Sequence, residues 1–376
     1  MIIKLGALIC EYSVRNKLCE DIPVYSVTND KGFCTGYFSK EVASKDKSTY
    51  KIVPRGYFAY NPSRINVGSI DWQNCESRVI VSPLYIVFSI SDKLKQQYLL
   101  HYLKSDIALT YIKTYAIGSV RDNLKLSMLK EFPINLCSIE EQQRIAAVLD
   151  KVSDLIALRK KQLEKLDELI KSRFVEMFGD PVSNPYGYKK VVLSELADIK
   201  IGPFGSLLHK EDYIEGGHPL LNPSHIIDSK VVPDNKLTIS DKKYEELAAY
   251  QLKAGDVVMG RRGEMGRCAV VPKEGYLCGT GSLLIRTKGE VTADYIQKII
   301  AFPSFRKMIE DMAVGQTMPN LNVPIVSNFQ IIKPPMEIQN NYYVFVEQVD
   351  KQKSSIQQSL EKLEVLKKAL MQEYFG

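Results

Sequence analysis

The sequence predicts an α+β protein built as two similar modules in tandem, each a mixed globular part followed by a long helix. Three observations predict it. Residues 98–179 align with 295–376 without a gap, and 20 of the 82 paired positions are identical, where about five would arise by chance from average composition. Each copy closes on about forty residues with the apolar spacing of a coiled-coil seam. Ahead of each helix lie strand-like runs between Gly, Pro and Asn punctuation. The repeating unit, roughly 200 residues, is far too long for a solenoid. A duplication of this kind predicts a pseudo-twofold object, suited to a partner with two similar faces.

In chain order, module one opens with a globular part, 1–138. Its runs "YFAYNPS" and "SRVIVSPLYIVFSI" are strand-like, and a helical pattern covers 92–113. A helix follows over 139–179, started by Ser138 and Glu141 as a capping box. Its seam is Ile145, Leu149, Val152, Ile156, Leu163, Leu166 and Ile170, with Arg159 and Arg173 in two seam places. The connector "DPVSNPYGY" is rich in turn residues and separates the modules. Module two has its globular part at 180–335, with strand-like "GDVVMGRRG" and "GRCAVVP" and a helical pattern at 292–312. Pro334 and Pro335 precede the last helix, 336–376, whose seam includes Val346, Val349, Ile356, Leu360, Leu363 and Leu370, with Lys353 and Lys367 between. At 1.5 Å per residue each helix is a rod of about 60 Å. Two readings of the helices stand: they pair with each other, with polar gaps that another chain's helices could cover, or each packs only on its own domain.

Composition excludes several classes. No apolar run reaches the roughly 18 residues of a membrane span, and "MIIKLGALIC" lacks the layout of a signal peptide. Seven cysteines, odd in number and without a CxxC pair, read as free thiols in a reducing cytoplasm. Four histidines are too few and scattered for a metal site. The net charge is +6, and residues 1–138 carry all of it, 18 Lys/Arg against 12 Asp/Glu. That is a modest lean towards nucleic acid.

Catalytic motifs are missing. "SNPYGY" and "YNPSRI" each lack the second proline of the Asn-Pro-Pro-Tyr motif of amino-methyltransferases. No cofactor-binding glycine turn, Walker loop or nucleophile elbow is present. What stands out is polar, glycine-containing basic loops in both modules. In module one these carry Asn61, Ser63, Arg64 and Asn66, then Ser119, Arg121, Asn123 and Lys125. In module two they carry Ser206, His209 and Lys210, then Arg261, Arg262 and Arg267, then Gln316, Thr317, Asn320 and Asn322. Arg and Asn have the forked donors and acceptors that read guanine and adenine edges, and Gly lets a backbone approach phosphate. Any one surface arginine is more often simply solvated, so the recurrence across modules carries the signal.

The segments "GSVRDNL" and "GQTMPNL", the lead-ins "FPINLCSIEEQQRI" and "FQIIKPPMEIQNNY", and the helix ends "MFG" and "YFG" resemble the specificity subunits of type I restriction-modification systems, over essentially the whole chain. "YNPSRINVGSI" and "IKIGPFGSLL" are similar to target-recognition-domain sequence of that family. The second lead-in departs from the family's Glu-Gln pair, with Ile338-Gln339 in place of Glu141-Gln142. The resemblance implies two target-recognition domains at opposite ends of an antiparallel helix pair. Each would read half of a split, asymmetric site in double-stranded DNA, and the helices would fix the unread spacer. It also implies two docked methyltransferase subunits carrying S-adenosylmethionine, and restriction or motor subunits using ATP and Mg. The chain itself would be non-catalytic, cytoplasmic, without cofactor or metal. Two alternatives stay open on the residues: a coiled-coil protein-interaction scaffold that reads no DNA, and a divergent self-sufficient DNA methyltransferase.

Overall fold

The computed structural model describes residues 1–36, 47–115, 123–312 and 320–376, with the backbone alone at residue 206. The chain forms two compact units, Met1–Leu163 with Ser355–Gly376, and Glu164–Ser354. Two long helices, Ile139–Phe178 and Met336–Phe375, each contribute one part to either unit.

In unit one a four-stranded antiparallel sheet is formed by β1 (Ile9–Glu11), β2 (Phe58–Tyr60), β3 (Ile70–Trp72) and β4 (Ile86–Ile90), in the order β1-β4-β2-β3. Phe58 and Phe88 stack across β2 and β4 at 5.1 Å. The run "SRVIVSPLYIVFSI" makes two strands rather than one. Pro83 has no N–H for a ladder, and a turn closed by Tyr85 N–H on Ser82 O sends Arg78–Val81 to a separate pairing with Lys51–Pro54. The helical pattern likewise divides, into α1 (Gln96–Leu103) and α2 (Asp106–Tyr115). Both pack on the sheet, in a core that also takes Ile145 and Leu149 from the first long helix and Phe375 from the second.

Unit two repeats the plan. Strands β5 (Ala197–Ile201), β6 (Val257–Gly260), β7 (Cys268–Val270) and β8 (Ser282–Thr287) lie in the order β5-β8-β6-β7, the same order as their counterparts. Helices α3 (Ala293–Ala301) and α4 (Pro303–Met312) divide at Pro303, which suits a first helical turn. Phe174 and Phe178 of the first long helix and Tyr342 and Val349 of the second enter this core.

The repeated residues have repeated jobs. Tyr98 Oη donates to Asn135 O at 2.7 Å and Tyr295 Oη to Ile332 O at 2.9 Å. Phe375 lies 5.3 Å from Tyr98, and Phe178 lies 5.0 Å from Tyr295. Gln142 and Gln339 are buried, and both the oxygen and the nitrogen of each amide are hydrogen-bonded. Gln142 Oε1 accepts from Lys95 N–H at 2.8 Å, and Gln339 Oε1 from Thr292 N–H at 3.1 Å. Each glutamine thereby fastens the start of a long helix to the start of a short one. Ile338 leaves that clamp intact. At the first helix start Glu141 N–H donates to Ser138 Oγ at 3.2 Å.

Within each unit the long helices run antiparallel. In unit one Lys160 pairs with Glu364 at 3.2 Å, and in unit two Lys353 pairs with Asp167 at 2.5 Å while Tyr342 Oη donates to Ile170 O. Every predicted seam residue is buried or half-buried, deepest at Leu149, Val349, Ile145 and Leu360. The helices therefore do both things expected of them separately: they pair, and they pack on the globular parts.

Candidate nucleic-acid interface

The candidate loops sit at one end of each central sheet. In module one the β2–β3 hairpin turns through residues 61–69, where Asn61 is half-buried and Ser63, Arg64 and Asn66 are exposed. In module two the β6–β7 hairpin turns through 261–267 at the matching place. The same two-residue element docks on both. Leu124 N–H donates to Pro62 O at 3.1 Å, and Leu321 N–H donates to Arg261 O at 2.9 Å. Asn123 Oδ1 accepts from Ser63 Oγ at 2.7 Å, and Asn320 Oδ1 accepts from Arg261 Nε at 3.0 Å. Leu124 and Leu321 are fully buried beneath. The Asn-Leu pair that the repeat preserves is thus a latch on the hairpin, while the hairpin sequences differ.

Module one encloses a small cavity of about 40 Å³ beside its hairpin, with Asn61, Arg64, Ser69 and Tyr85 in its wall. Tyr85 Oη accepts from Val27 N–H at 3.4 Å, and burial pushes that phenol's pKa up. Ser69 Oγ donates to Val27 O at 2.6 Å, tying the hairpin to strand Ser26–Thr28. Lys125 is exposed and precedes the short helix Leu126–Leu129.

Module two gathers more chain at its sheet end. Gly202 follows β5, Gly260 ends β6, and Gly279 and Gly281 lead into β8; Gly202 N–H donates to Ser282 O, and Arg261 N–H to Gly281 O. Asn222 and Pro223 fill the space between. Asn222 Oδ1 accepts from Gly281 N–H at 3.2 Å. A Cβ at Gly202 would lie 2.1 Å from Gly279 O, and one at Gly279 would lie 2.3 Å from Asn222 Oδ1. A side chain at Gly202 or Gly279 has no room, so three segments converge there as bare backbone around Asn222 and Pro223.

The arginines divide by what they already hold. Arg267 is committed inward: Nε and Nη2 bind Glu264, and Nη1 donates to Pro223 O at 3.3 Å. Arg306 Nη1 takes the other Glu264 oxygen at 3.0 Å. Arg261 is half-buried, and burial, then the neighbouring Arg262 charge, holds its pKa below the ordinary value. Arg262 and Arg64 are exposed and make no side-chain hydrogen bond among the described residues. Among the described residues they are the unengaged forks of the two hairpins.

Asn322 caps the helix Val323–Ser327, accepting from Ile325 N–H at 2.9 Å. His209 and Lys210 are exposed at the turn Lys210–Asp212, and no hydrogen bond among the described residues ties that turn to the Arg261 hairpin. Ser119, Arg121, Gln316 and Thr317 lie outside the described residues, as does the Ser206 side chain. Sequence reasoning missed Tyr85, Glu264, Arg306 and Asn222. One signal was available for Asn222: the tripeptide Asn-Pro-Ser of the first hairpin recurs at 222–224. Among the described residues no cluster of three metal-ligating side chains exists, and no helix is long and apolar enough to cross a membrane.

Comparison with known proteins finds relatives over most of the chain. The MjaIX specificity subunit of a type I restriction enzyme from Methanocaldococcus jannaschii is 26% identical over 307 residues, 74% of this chain and 68% of that one. The MjaVIII specificity subunit of the same organism is 21% identical over 311 residues, 78% of this chain and 69% of its own. Two solved structures share the fold. One, from work on complex assembly and conformational transition of the type I R-M system, matches with TM-score 0.63 at 18% identity, covering 100% of this chain and 97% of the other. The S subunit of a type I restriction-modification system from M. genitalium matches with TM-score 0.59 at 14% identity, covering 100% and 96%. A family model described as the type I restriction modification DNA specificity domain matches residues 14–168 and again 185–365. With that model matched over both modules, the chain belongs to the type I restriction modification DNA specificity domain family.

Proposed function

We propose that this chain selects the DNA sequence on which a type I restriction-modification complex acts, reading a split and asymmetric site with its two modules. The supporting observation is the pair of hairpins, 61–69 and 261–267, each latched by an identical Asn-Leu pair but differing in its exposed side chains. A common latch with unlike loops suits one docking geometry on DNA with two different half-sites. Base edges are read by forked side chains in the groove, while contacts to phosphate position the protein. The long helices set the unread spacer and seat two methyltransferase subunits. Those subunits bring S-adenosylmethionine and methylate adenine in the cytoplasm, and a restriction subunit uses ATP and Mg to cleave. A net charge of +6 is small for a chain of this size, so the partners supply much of the salt-dependent affinity for phosphate.

The test is genome-wide adenine methylation read by single-molecule sequencing, with this gene deleted, restored, and restored with residues 180–335 exchanged for those of a relative. The expected result is a split motif that vanishes, returns, and then changes in one half only. A motif that changes in both halves after the exchange would refute independent reading by the modules. Inserting four residues into both long helices tests the spacer: altered half-sites over an unchanged gap would refute the helices' role.

A further inference from the structure

We propose that Phe204 is a wedge, its ring entering the base stack at one step of the half-site read by module two. The inference rests on the DNA reading above and adds to it a residue that reads by deforming rather than by hydrogen bonding.

A single exposed apolar side chain needs no explanation in general. Phe204 differs in its setting. It is 62% exposed, two residues beyond Gly202, on the segment that leaves β5 beside Ser282 and the Arg261 hairpin. Pro203 before it is buried, which anchors the segment. Gly205 after it has φ +64, and a Cβ there would meet nothing within 4 Å, so the loop turns sharply in open solvent. Phe204 itself is extended, φ −144 and ψ 166. The ring is therefore carried on a short anchored arm at the same sheet end as Arg262, which follows β6 on the far side of the intervening β8.

Module one supplies an independent parallel. Leu84, 76% exposed, stands two residues before β4, at the corresponding end of the corresponding sheet. It neighbours Tyr85, in the wall of the cavity that Arg64 shares. Each module thus carries one large exposed apolar group at the sheet end that also bears its exposed hairpin arginine, and the two groups come from different strands' loops and different residue types. Proteins that kink DNA insert apolar side chains of this kind between base steps, where the cost of unstacking is offset by new contacts. Sequence enters through the step's deformability, so a wedge discriminates at base pairs that no hydrogen bond touches.

The test uses the full chain assembled with its methyltransferase subunits, on duplexes carrying the motif found by methylation sequencing. 2-Aminopurine replaces successive bases of module two's half-site, leaving out the methylated adenine and its neighbours. Wild type is expected to brighten one position, and Phe204→Ala to lose that signal along with roughly tenfold in affinity, as for loss of one stacked base. Phe204→Leu, which keeps an apolar wedge, is expected to retain the brightening. If wild type discriminates the motif yet Phe204→Ala brightens equally, or no position brightens at all, the wedge is refuted and the DNA reading stands. If wild type binds duplexes with and without the motif equally, the DNA reading falls and the wedge falls with it. Circular dichroism of Phe204→Ala separates either result from misfolding, since an exposed ring contributes little to the core.

Discussion

Asn320 accepts a hydrogen bond from Arg261 Nε at 3.0 Å, and the aligned Asn123 accepts one from Ser63 Oγ at 2.7 Å. One position of the repeat thus holds a charged partner in one module and a neutral one in the other. A bond to a charged group contributes about 1.5–3 kcal/mol and a neutral one about 1 kcal/mol. We predict that Asn320→Ala weakens binding at module two's half-site by roughly tenfold or more, and that Asn123→Ala costs less at module one's. Titration of duplexes altered in one half at a time measures both. Equal losses at the two halves would contradict the asymmetry.

Arg262 and Arg267 lie five residues apart but predict opposite phenotypes. Arg262 has a free fork, so Arg262→Gln should remove about 1–3 kcal/mol of discrimination at one base pair while leaving the melting temperature unchanged. Arg267 is bound to Glu264 and Pro223, so Arg267→Gln should loosen the hairpin and lower affinity for all sequences alike. Competition assays over a set of single-base variants distinguish the patterns. A narrow, single-position loss in Arg267→Gln would sink the assignment.

Gly202→Ala should be among the most damaging small changes in module two. Its new methyl would meet the backbone of Gly279, which has no flexible end to move aside, and such overpacking costs about 1–3 kcal/mol. Gly205→Ala, three residues on, meets no atoms but must hold φ +64, a strain of about 1–2 kcal/mol. Denaturant melts rank the two. The steric account fails if Gly202→Ala is as stable as wild type.

The buried His101 makes unit one sensitive to acid. Its Nε2 meets Asp150 at 2.8 Å, and Gln97 Nε2 donates to the same oxygen. Burial lowers the His101 pKa, outweighing Asp150, which raises it. The folded value lies below the unfolded one, so the unfolded chain binds the proton more readily. The contribution to stability is present above about pH 6.5 and is lost as pH falls from there through the folded value. We predict that His101→Gln flattens the pH dependence of unit one's unfolding in that acid window, by at most about 1.4 kcal/mol per pH unit. A parallel slope in both proteins would show that other groups govern it.

Phe375→Ala should destabilise unit one, although the residue lies near the far end of the chain. Its ring sits between Tyr98 and Tyr102, and emptying such a site costs about 3–5 kcal/mol. Phe178→Ala should do the same to unit two. Hydrogen exchange, followed separately in peptides 96–115 and 293–312, reads the two effects. Loss of protection only in module two's peptides on Phe375→Ala would overturn this account of the cores.

The repeat and the heptad register made the architecture legible from sequence because both are patterns that recur. The helix bounds and the seam follow from spacing, whereas the compact units, each of which takes part of both long helices, do not coincide with the tandem modules. Local punctuation was harder to weigh: Pro83 and Pro303 split what read as single elements, and each split follows from a missing N–H or a favoured first turn. The two-residue strands of module two, such as Tyr213–Ile214, are too short to carry a pattern. The convergence of Gly202, Asn222 and Gly279 is assembled from distant segments, and only packing reveals it. Sequence could nominate Arg262 and Arg267 equally; the position of Glu264 separates them.

The membership of Phe375 also governs when the protein can become itself. During synthesis the first two hundred or so residues leave the ribosome without the segment Ser355–Gly376 that completes unit one, and domains ordinarily fold as they emerge. Unit two closes first, because all of its residues lie between 164 and 354. Unit one must keep Tyr98 and Tyr102 uncovered until Phe375 has been made. The half assembled earliest is therefore the one finished last, and a truncated product carries an open greasy surface that marks it for chaperones or proteolysis.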